Sequence, residues 1–152
     1  MKKVTTFLWF NDQAEEAARF YCTLFKGAQL VDTMPGPGGK AMAATFRVDG
    51  QDFMCFNGGP HHRLNPAVSL FIDCEGQAEV DALWAKLAAD GGRPDACGWV
   101  TDKFGLSWQV IPRKLRELLT HPERERAGRA MQAMLQMVKI DEVALQAAFD
   151  GR

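Results

Sequence analysis

The chain of 152 residues is 47% hydrophobic and 24% charged, and its 18 Lys and Arg nearly balance its 19 Asp and Glu. This composition is typical of one soluble globular domain, and a net charge of -1 argues against nucleic acid or an anionic membrane as partner. No apolar run approaches the roughly 20 residues that span a bilayer, so we expect a cytoplasmic protein without a signal peptide.

The first half of the chain predicts a strand, a helix and three further strands. An apolar run over 4–10 is followed by Asn11-Asp12-Gln13, and apolar side chains then recur at spacings of three and four until Gly27. Asp49-Gly50 is typical of a two-residue hairpin turn. The strands after the helix are predicted over 28–33, 41–48 and 51–56.

The second half repeats this order after a linker rich in Gly, Pro and Asn over 57–66. A strand is predicted over 67–74, a helix ending at Gly91, and strands over 93–100 and 106–111 around a turn with Gly105. In the linker, His61, His62 and Arg63 are either solvated or have a role at a binding site, where they would cover its mouth or bind an anionic ligand.

The pattern beyond Pro112 changes to helices. Three are predicted, over 113–120, 122–138 and 140–149, and the middle one carries a Met-rich apolar stripe. Met suits adaptable contacts, so this tail either serves as an interaction surface or packs over a sheet or across a dimer.

The two halves are copies of one unit. At an offset of 64 residues, 7 of the 24 pairs between 4–27 and 68–91 are identical, including Phe7 with Phe71, where chance gives roughly one or two. The sequence therefore predicts an α+β fold of two tandem βαβββ modules, over 1–65 and 66–112, followed by a helical tail over 113–152.

The four cysteines are Cys22, Cys55, Cys74 and Cys97, and they form neither a CxxC pair nor a Cys/His cluster at zinc spacing. Reduced thiols are the favoured interpretation. A cysteine nucleophile needs a nearby base and partial exposure, and only Cys97 lies in a loop-like segment. We expect all four to be packing residues.

Several short motifs follow one another along the chain. They are FLWF at 7–10 with QAEEA at 13–17, FY at 20–21, NGGP at 57–60, CGW at 97–99 leading to DKFGLSWQ at 102–109, and MQAMLQM at 131–137. With the duplicated unit, they resemble the vicinal oxygen chelate superfamily of glyoxalase I, extradiol dioxygenases and bleomycin-resistance proteins. The resemblance is closest to its PhnB-like branch, often labelled 3-demethylubiquinone-9 3-methyltransferase, and implies a glyoxalase-like domain with paired curved mixed sheets.

Members of this superfamily usually hold a divalent metal on four inward side chains from the first and last strands of the two modules. The resemblance places these positions at Thr6, Met54, Leu70 and Gln109, while a shift of one residue would substitute Thr5, Phe53 or Ser69. Neither set contains His, Asp or Glu, and one Gln amide does not hold a hard divalent ion. We expect no metal and no cofactor.

Strand alternation predicts which side chains line the cup that these sheets form. One face would carry Thr6, Leu8, Phe10, Met54, Phe56, Leu70, Ile72 and Gln109. Such a face makes either a mostly apolar site for a small ligand or a filled core. The resemblance also implies a homodimer, because the superfamily often builds its cups from modules of two chains.

Besides an interaction module whose contacts are made by the Met-rich helical tail, two functions from different classes stay open. One is a metal-free homodimer that binds a small apolar or aromatic compound, as the resistance proteins do. The other is an enzyme, either a metal-dependent lyase or dioxygenase or a methyltransferase as the family label implies. A methyltransferase usually binds its methyl donor at a Gly-rich turn after the first strand of a doubly wound sheet, and Asn11-Asp12-Gln13 is not such a turn.

Overall fold

Two four-stranded mixed sheets organise residues 2–152, the part of the chain that this computed structural model describes. Each sheet belongs to one compact unit, and the boundary lies between Leu64 of unit 1 and Asn65 of unit 2. Both units follow the order strand, helix, strand, strand, strand, and three more helices complete unit 2. The predicted α+β fold of two βαβββ modules with a helical tail is confirmed.

Unit 1 consists of one helix and one sheet. Its elements are β1 (Thr6–Phe10), α1 (Ala14–Cys22), β2 (Gln29–Pro35), β3 (Ala41–Val48) and β4 (Gln51–Asn57). The strand order is β1-β4-β3-β2, with β1 parallel to β4 and the other neighbours antiparallel. Asp49 and Gly50 both have positive φ, at 48° and 72°, and form the predicted hairpin turn between β3 and β4.

Small side chains let α1 lie close to β3. Ala14, Ala17 and Ala18 are fully buried, and the ring of Tyr21, one turn further on, lies 5.3 Å from that of Phe46. The polar side chain of Asn57 fixes the start of the helix, because its Oδ1 accepts a hydrogen bond from the Ala14 N–H at 2.8 Å. The core of unit 1 therefore lies between α1 and one face of the sheet.

Unit 2 repeats this arrangement and extends it. Its module contains β5 (Ser69–Cys74), α2 (Gln77–Leu87), β6 (Arg93–Pro94), β7 (Trp99–Thr101) and β8 (Ser107–Pro112). The strand order β5-β8-β7-β6, with β5 parallel to β8, matches that of unit 1. The tail follows as α3 (Arg113–Leu119), α4 (Arg124–Leu135) and α5 (Glu142–Asp150).

The tail helices pack around one apolar cluster that begins at the end of β8. We call it the tail core; it contains Ile111, Leu115, Leu118, Ala130, Ile140, Leu145 and Phe149. Asp141 caps α5 by accepting from the Ala144 N–H at 3.0 Å, and Gly151 ends it at φ 78°. Within residues 2–152, no helix is long and apolar enough to cross a membrane.

Two predicted elements have different bounds in the structure. The strand expected over 93–100 is interrupted by a short 3-10 turn over Ala96–Gly98, and the helix expected over 122–138 ends at Leu135. The two differences have one cause. The N–H groups of Cys97 and Gly98 each donate at 2.8 Å, to the carbonyls of Met137 and Val138 respectively, so both segments leave regular structure to bond each other.

Candidate functional site

Strand pairing fixes which side chains share a face of each sheet. In unit 1, Phe7 lies opposite Met54 and Trp9 opposite Phe56, whereas Leu8 lies opposite Cys55 on the side of α1. In unit 2, Gln109 of β8 lies opposite Phe71 on one neighbour and Trp99 on the other. We call the faces with Phe7 and Phe71 the front faces of the two sheets.

The predicted cup residues divide between the two faces. Met54, Phe56 and Gln109 lie on the front faces. The prediction of one shared face is wrong for Thr6, Leu8, Phe10, Leu70 and Ile72, which lie on the side of α1 or α2. Leu8 and Phe10 are only 3% and 4% exposed. An error of one residue in the register of a strand assigns every side chain of that strand to the opposite face.

The front face of unit 2 forms the floor of a cavity of about 520 Å³. The lining residues come from the sheet, from the 3-10 turn and from the tail: Phe71, Cys97, Trp99, Gln109, Ile111, Leu115, Arg116, Leu119, Thr120 and Met134. This volume lies within the range of about 300–1,000 Å³ that is usual for sites that bind small molecules. Most of the lining is aromatic or aliphatic, with few polar groups.

Gln109 is the central polar group of the floor. Its Nε2 donates a hydrogen bond to Ser69 Oγ at 3.0 Å, and within residues 2–152 no donor reaches its Oε1. Phe71 and Trp99 lie on either side of it in the same cross-strand row, and Phe71 is 55% exposed. The floor therefore offers two aromatic rings with a hydrogen-bond acceptor between them.

Helix α3 supplies one wall of the cavity. Leu118 packs in the tail core and Leu115 contributes to both the tail core and the lining. Leu119, Arg116 and Thr120 also line the cavity. Hydrogen bonds also join the tail to helix α2 of the module. The side chain of Gln77 donates to the Ile140 carbonyl at 2.9 Å and accepts from the Glu142 N–H at 2.8 Å. The tail is thus bonded to the module at several separate points.

Arg116 is the one charged residue of the lining, and its guanidinium has no ion-pair partner in the described part of the chain. Neighbouring arginines are paired: Arg113 donates to Asp73 at 2.8 Å, and Arg126 donates to Asp150 at 2.8 Å. The side chain of Arg116 is exposed at the edge of the cavity. Its positive charge is therefore available to a ligand.

Asp102, which the DKFGLSWQ motif contains, is a structural residue of the turn before β8. Its carboxylate is 3% exposed and accepts hydrogen bonds from the N–H groups of Phe104 at 2.8 Å and Leu106 at 3.1 Å. A third comes from Trp108 Nε1 at 2.8 Å. These bonds explain the motif, because Asp is favoured in turns where its side chain accepts hydrogen bonds from nearby backbone N–H groups.

The cysteines are all free thiols. Burial raises the pKa of the Cys74 thiol to about 12, and burial also raises the pKa of Cys22. These two are poor nucleophiles at neutral pH. Cys97 lines the cavity, but its Sγ lies 3.6 Å from the Met134 carbonyl and its backbone is bonded to the tail. Its contacts are those of a packing residue.

The front face of unit 1 is aromatic. The ring of Phe56 lies 5.4 Å from those of both Phe7 and Trp9, and Trp9 Nε1 donates to the Gly59 carbonyl at 2.9 Å. His61, His62 and Arg63 of the linker are all exposed, and the ring of His62 lies edge-on to that of Trp9 at 4.9 Å. This linker folds over the Trp9 end of the front face, and Phe7 stays 53% exposed.

The comparisons with known proteins agree with this architecture. The model of the 3-demethylubiquinone-9 3-methyltransferase family matches residues 2–111. The chain belongs to this family. Among solved structures, a PhnB protein from Bacillus cereus is 34% identical and has a TM-score of 0.68; the match covers 73% of this chain and 99% of that one. The predicted PhnB-like resemblance is confirmed.

Two more distant structures also match this chain, over similar shares of its length. Protein PA1353 from Pseudomonas aeruginosa is 21% identical, with a TM-score of 0.56, over 71% of this chain and 95% of that one. A glyoxalase/bleomycin resistance protein from Albidiferax ferrireducens is 17% identical, with a TM-score of 0.48, over 70% and 96%. No curated protein matches the chain.

The divalent metal that the sequence resemblance implies does not fit the residues of this family member. With the faces corrected, the front positions on the paired first and last strands are Phe7 and Met54 in unit 1, and Phe71 and Gln109 in unit 2. Among residues 2–152 no group of three or more His, Cys, Asp or Glu side chains is placed to hold a metal ion. This donor set lacks the carboxylate and imidazole groups that such ions need.

A methyl donor bound at a Gly-rich turn does not fit either. In this family member, β1 leads into α1 through Asn11-Asp12-Gln13. In each sheet, the last three strands of the module pair antiparallel to one another. The doubly wound parallel sheet that would present such a turn is therefore not the architecture of the described units.

Several lining residues escaped prediction from the sequence, namely Phe71, Trp99 and those of the tail. Phe71 had a signal: it is one of the identical pairs of the internal repeat, matched with Phe7, and both lie on front faces. The tail residues had no local signal, because their position over the sheet depends on long-range contacts such as those of Gln77 with Ile140 and Glu142.

Proposed function

We propose that this protein binds a small, mostly apolar or aromatic compound in the cavity of unit 2. The observation that carries the proposal is the cross-strand row of Phe71, Gln109 and Trp99, which forms a partly exposed aromatic floor beneath helix α3. Aromatic rings that flank one acceptor suit a flat ligand that carries one hydrogen-bond donor.

The experiment titrates the full chain with 2-naphthol by isothermal titration calorimetry. We expect saturable binding of one molecule per chain. Leu119→Trp should abolish binding because the indole occupies the cavity, while Val143→Trp places the same ring on α5 at a position that is 78% exposed and should leave it unchanged. Absence of binding by the wild type, or equal binding by both variants, would contradict the proposal.

We also propose that the front face of unit 1 is covered by a second copy of the chain. Phe7 and Met34 lie on this face and are 53% and 50% exposed, and Trp9 and Phe56 extend the apolar surface between them. Apolar surface of this kind is typical of a protein interface. A symmetric dimer is the commonest assembly that supplies the cover.

Sedimentation velocity at micromolar concentration tests the dimer. We expect the wild type to sediment as a dimer, Phe7→Glu to sediment as a monomer, and Val143→Glu, which adds the same charge on α5, to stay dimeric. A monomeric wild type would refute the proposal, as would a dimer that Phe7→Glu leaves intact.

A further inference from the structure

We infer that the ligand of the unit 2 cavity carries a carboxylate, and that Arg116 of α3 binds it. This inference rests on the proposed function, since it specifies the chemistry of the compound that the cavity takes. Three features of the cavity support it: the position of its wall on the tail, the charge of the lining and the hydrogen bonds of Gln109 and Thr120.

The wall that contains Arg116 lies outside the region shared with the family. The family match ends at residue 111, and the match to the Bacillus cereus PhnB protein covers 99% of that chain but only 73% of this one. Leu115, Arg116, Leu119, Thr120 and Met134 all follow this boundary. The floor residues Phe71, Trp99 and Gln109 therefore lie within the matched region, and the wall follows it in the chain.

The charge of the lining comes from Arg116 alone. Among the lining residues there is no Asp, Glu, Lys or His, so a bound anion meets one positive charge and no negative one. The acidic residues that pair with neighbouring arginines, Asp73 and Asp150, are already bonded to Arg113 and Arg126. The lining therefore favours an anion over a neutral ligand or a cation.

Two neutral polar groups of the lining already donate hydrogen bonds within the protein. One N–H of Gln109 Nε2 donates to Ser69 Oγ at 3.0 Å, and Thr120 Oγ1 donates to the Arg116 carbonyl at 2.9 Å. The guanidinium of Arg116 is the charged donor that the lining offers to a ligand oxygen. Its planar, forked donors match the two oxygens of a carboxylate, whereas a doubly charged phosphate usually needs several cations or backbone N–H groups.

The test compares three naphthalenes that differ only in one substituent: 2-naphthoate, 2-naphthamide and 2-naphthol. We expect 2-naphthoate to bind the wild type about tenfold more tightly than 2-naphthamide at low salt, since one charge-assisted hydrogen-bonded pair at a partly exposed site contributes on that order. Arg116→Gln should remove this preference, so that 2-naphthoate and 2-naphthamide bind with similar affinities.

Matched variants separate the role of Arg116 from a general effect of charge. Lys114→Gln removes the same charge two positions away on α3, outside the cavity, and should keep the tenfold preference. Arg116→Lys should keep part of it, because the charge stays and the forked geometry is lost.

Each outcome decides between the two proposals. If 2-naphthol binds but 2-naphthoate binds no more tightly than 2-naphthamide, or if Arg116→Gln keeps the preference, the carboxylate inference fails and the proposed function stands. The inference also fails if Lys114→Gln removes the preference as fully as Arg116→Gln does. If none of the three compounds binds, both proposals fail together.

Discussion

Substitution of Gly98 by Ala should loosen the contact between the module of unit 2 and its tail. Gly98 has φ 82°, and a Cβ atom built on it would lie 2.8 Å from Ile111 Cδ1 and 3.0 Å from Ile140 Cγ1. The first neighbour lies in β8, one residue before its end, and the second belongs to the tail, so the new methyl group would push the two apart. The adjacent residues Cys97 and Trp99 line the cavity.

Gly105 provides a matched control for the magnitude. It also has a left-handed backbone, with φ 93°, but nothing lies within 4 Å of a Cβ placed on it. Gly105→Ala should therefore cost only the conformational term, about 1–2 kcal/mol. Gly98→Ala adds overpacking of about 1–3 kcal/mol to the same term, for a total of about 2–5 kcal/mol.

Urea unfolding followed by far-ultraviolet circular dichroism measures both losses, with the free energy of unfolding taken from linear extrapolation. Gly98→Ala should also weaken binding of 2-naphthol more than Gly105→Ala does, because the displaced turn carries two residues of the lining. Equal free energies for the two variants would refute the argument that the tail clamps this turn.

Three further predictions concern single side chains. Asp102→Ala should lower the free energy of unfolding by about 2–4 kcal/mol, because it removes the acceptor of three hydrogen bonds in a buried turn; a loss under about 1 kcal/mol in urea would contradict this. Gln109→Ala should lower the affinity for 2-naphthol more than it lowers the melting temperature, and the reverse result in calorimetry would make Gln109 a structural residue. Hydrogen bonds from Lys139 and Gln77 lower the pKa of Asp81 in the folded protein. The stability that the ionised Asp81 contributes through these bonds is therefore present above the ordinary Asp pKa of about 3.9. It is lost as the pH falls through the lower pKa of the folded state. Asp81→Asn should then show a smaller drop in melting temperature between pH 7 and pH 3 than the wild type, and identical drops would show that the Lys139 contact has no such effect.

Local sequence signals were sufficient for the fold of the two modules. Gly50 follows Asp49 at a two-residue turn because both positions need positive φ, and such a pair identifies a hairpin from sequence alone. The repeat added a second source of evidence, since the order of elements in one half could be checked against the other. These signals depend on backbone preferences and on periodicity, which act over a few residues.

The assignment of faces failed where both faces of a strand are apolar. In β1, Phe7 lies on the front and Leu8 on the side of α1, and hydrophobicity does not separate them. In a strand with one polar and one apolar face, the alternation along the sequence would have identified the buried side chains. In β8, the polar Gln109 lies on the front face, as do Met54 and Phe56, with which the prediction grouped it.

The cavity itself depends on contacts between residues far apart in the chain. The turn at Cys97 and Gly98 leaves the strand conformation because Met137 and Val138 supply carbonyl acceptors, about 40 positions later. No window of local sequence contains both partners. The same is true of Arg116, whose significance comes from the sheet beneath it and from the acidic side chains that lie elsewhere.

The most direct test of the central claim follows the tryptophan indole N–H signals by ¹⁵N–¹H NMR during a titration with 2-naphthol. Trp99 lies in the cavity, Trp9 in unit 1 is bonded to the Gly59 carbonyl, and Trp84 lies on α2. We predict a saturable shift of the Trp99 signal with little change at Trp9 and Trp84. A shift that is largest at Trp9, or no saturable shift at Trp99, would contradict a binding site in the cavity of unit 2.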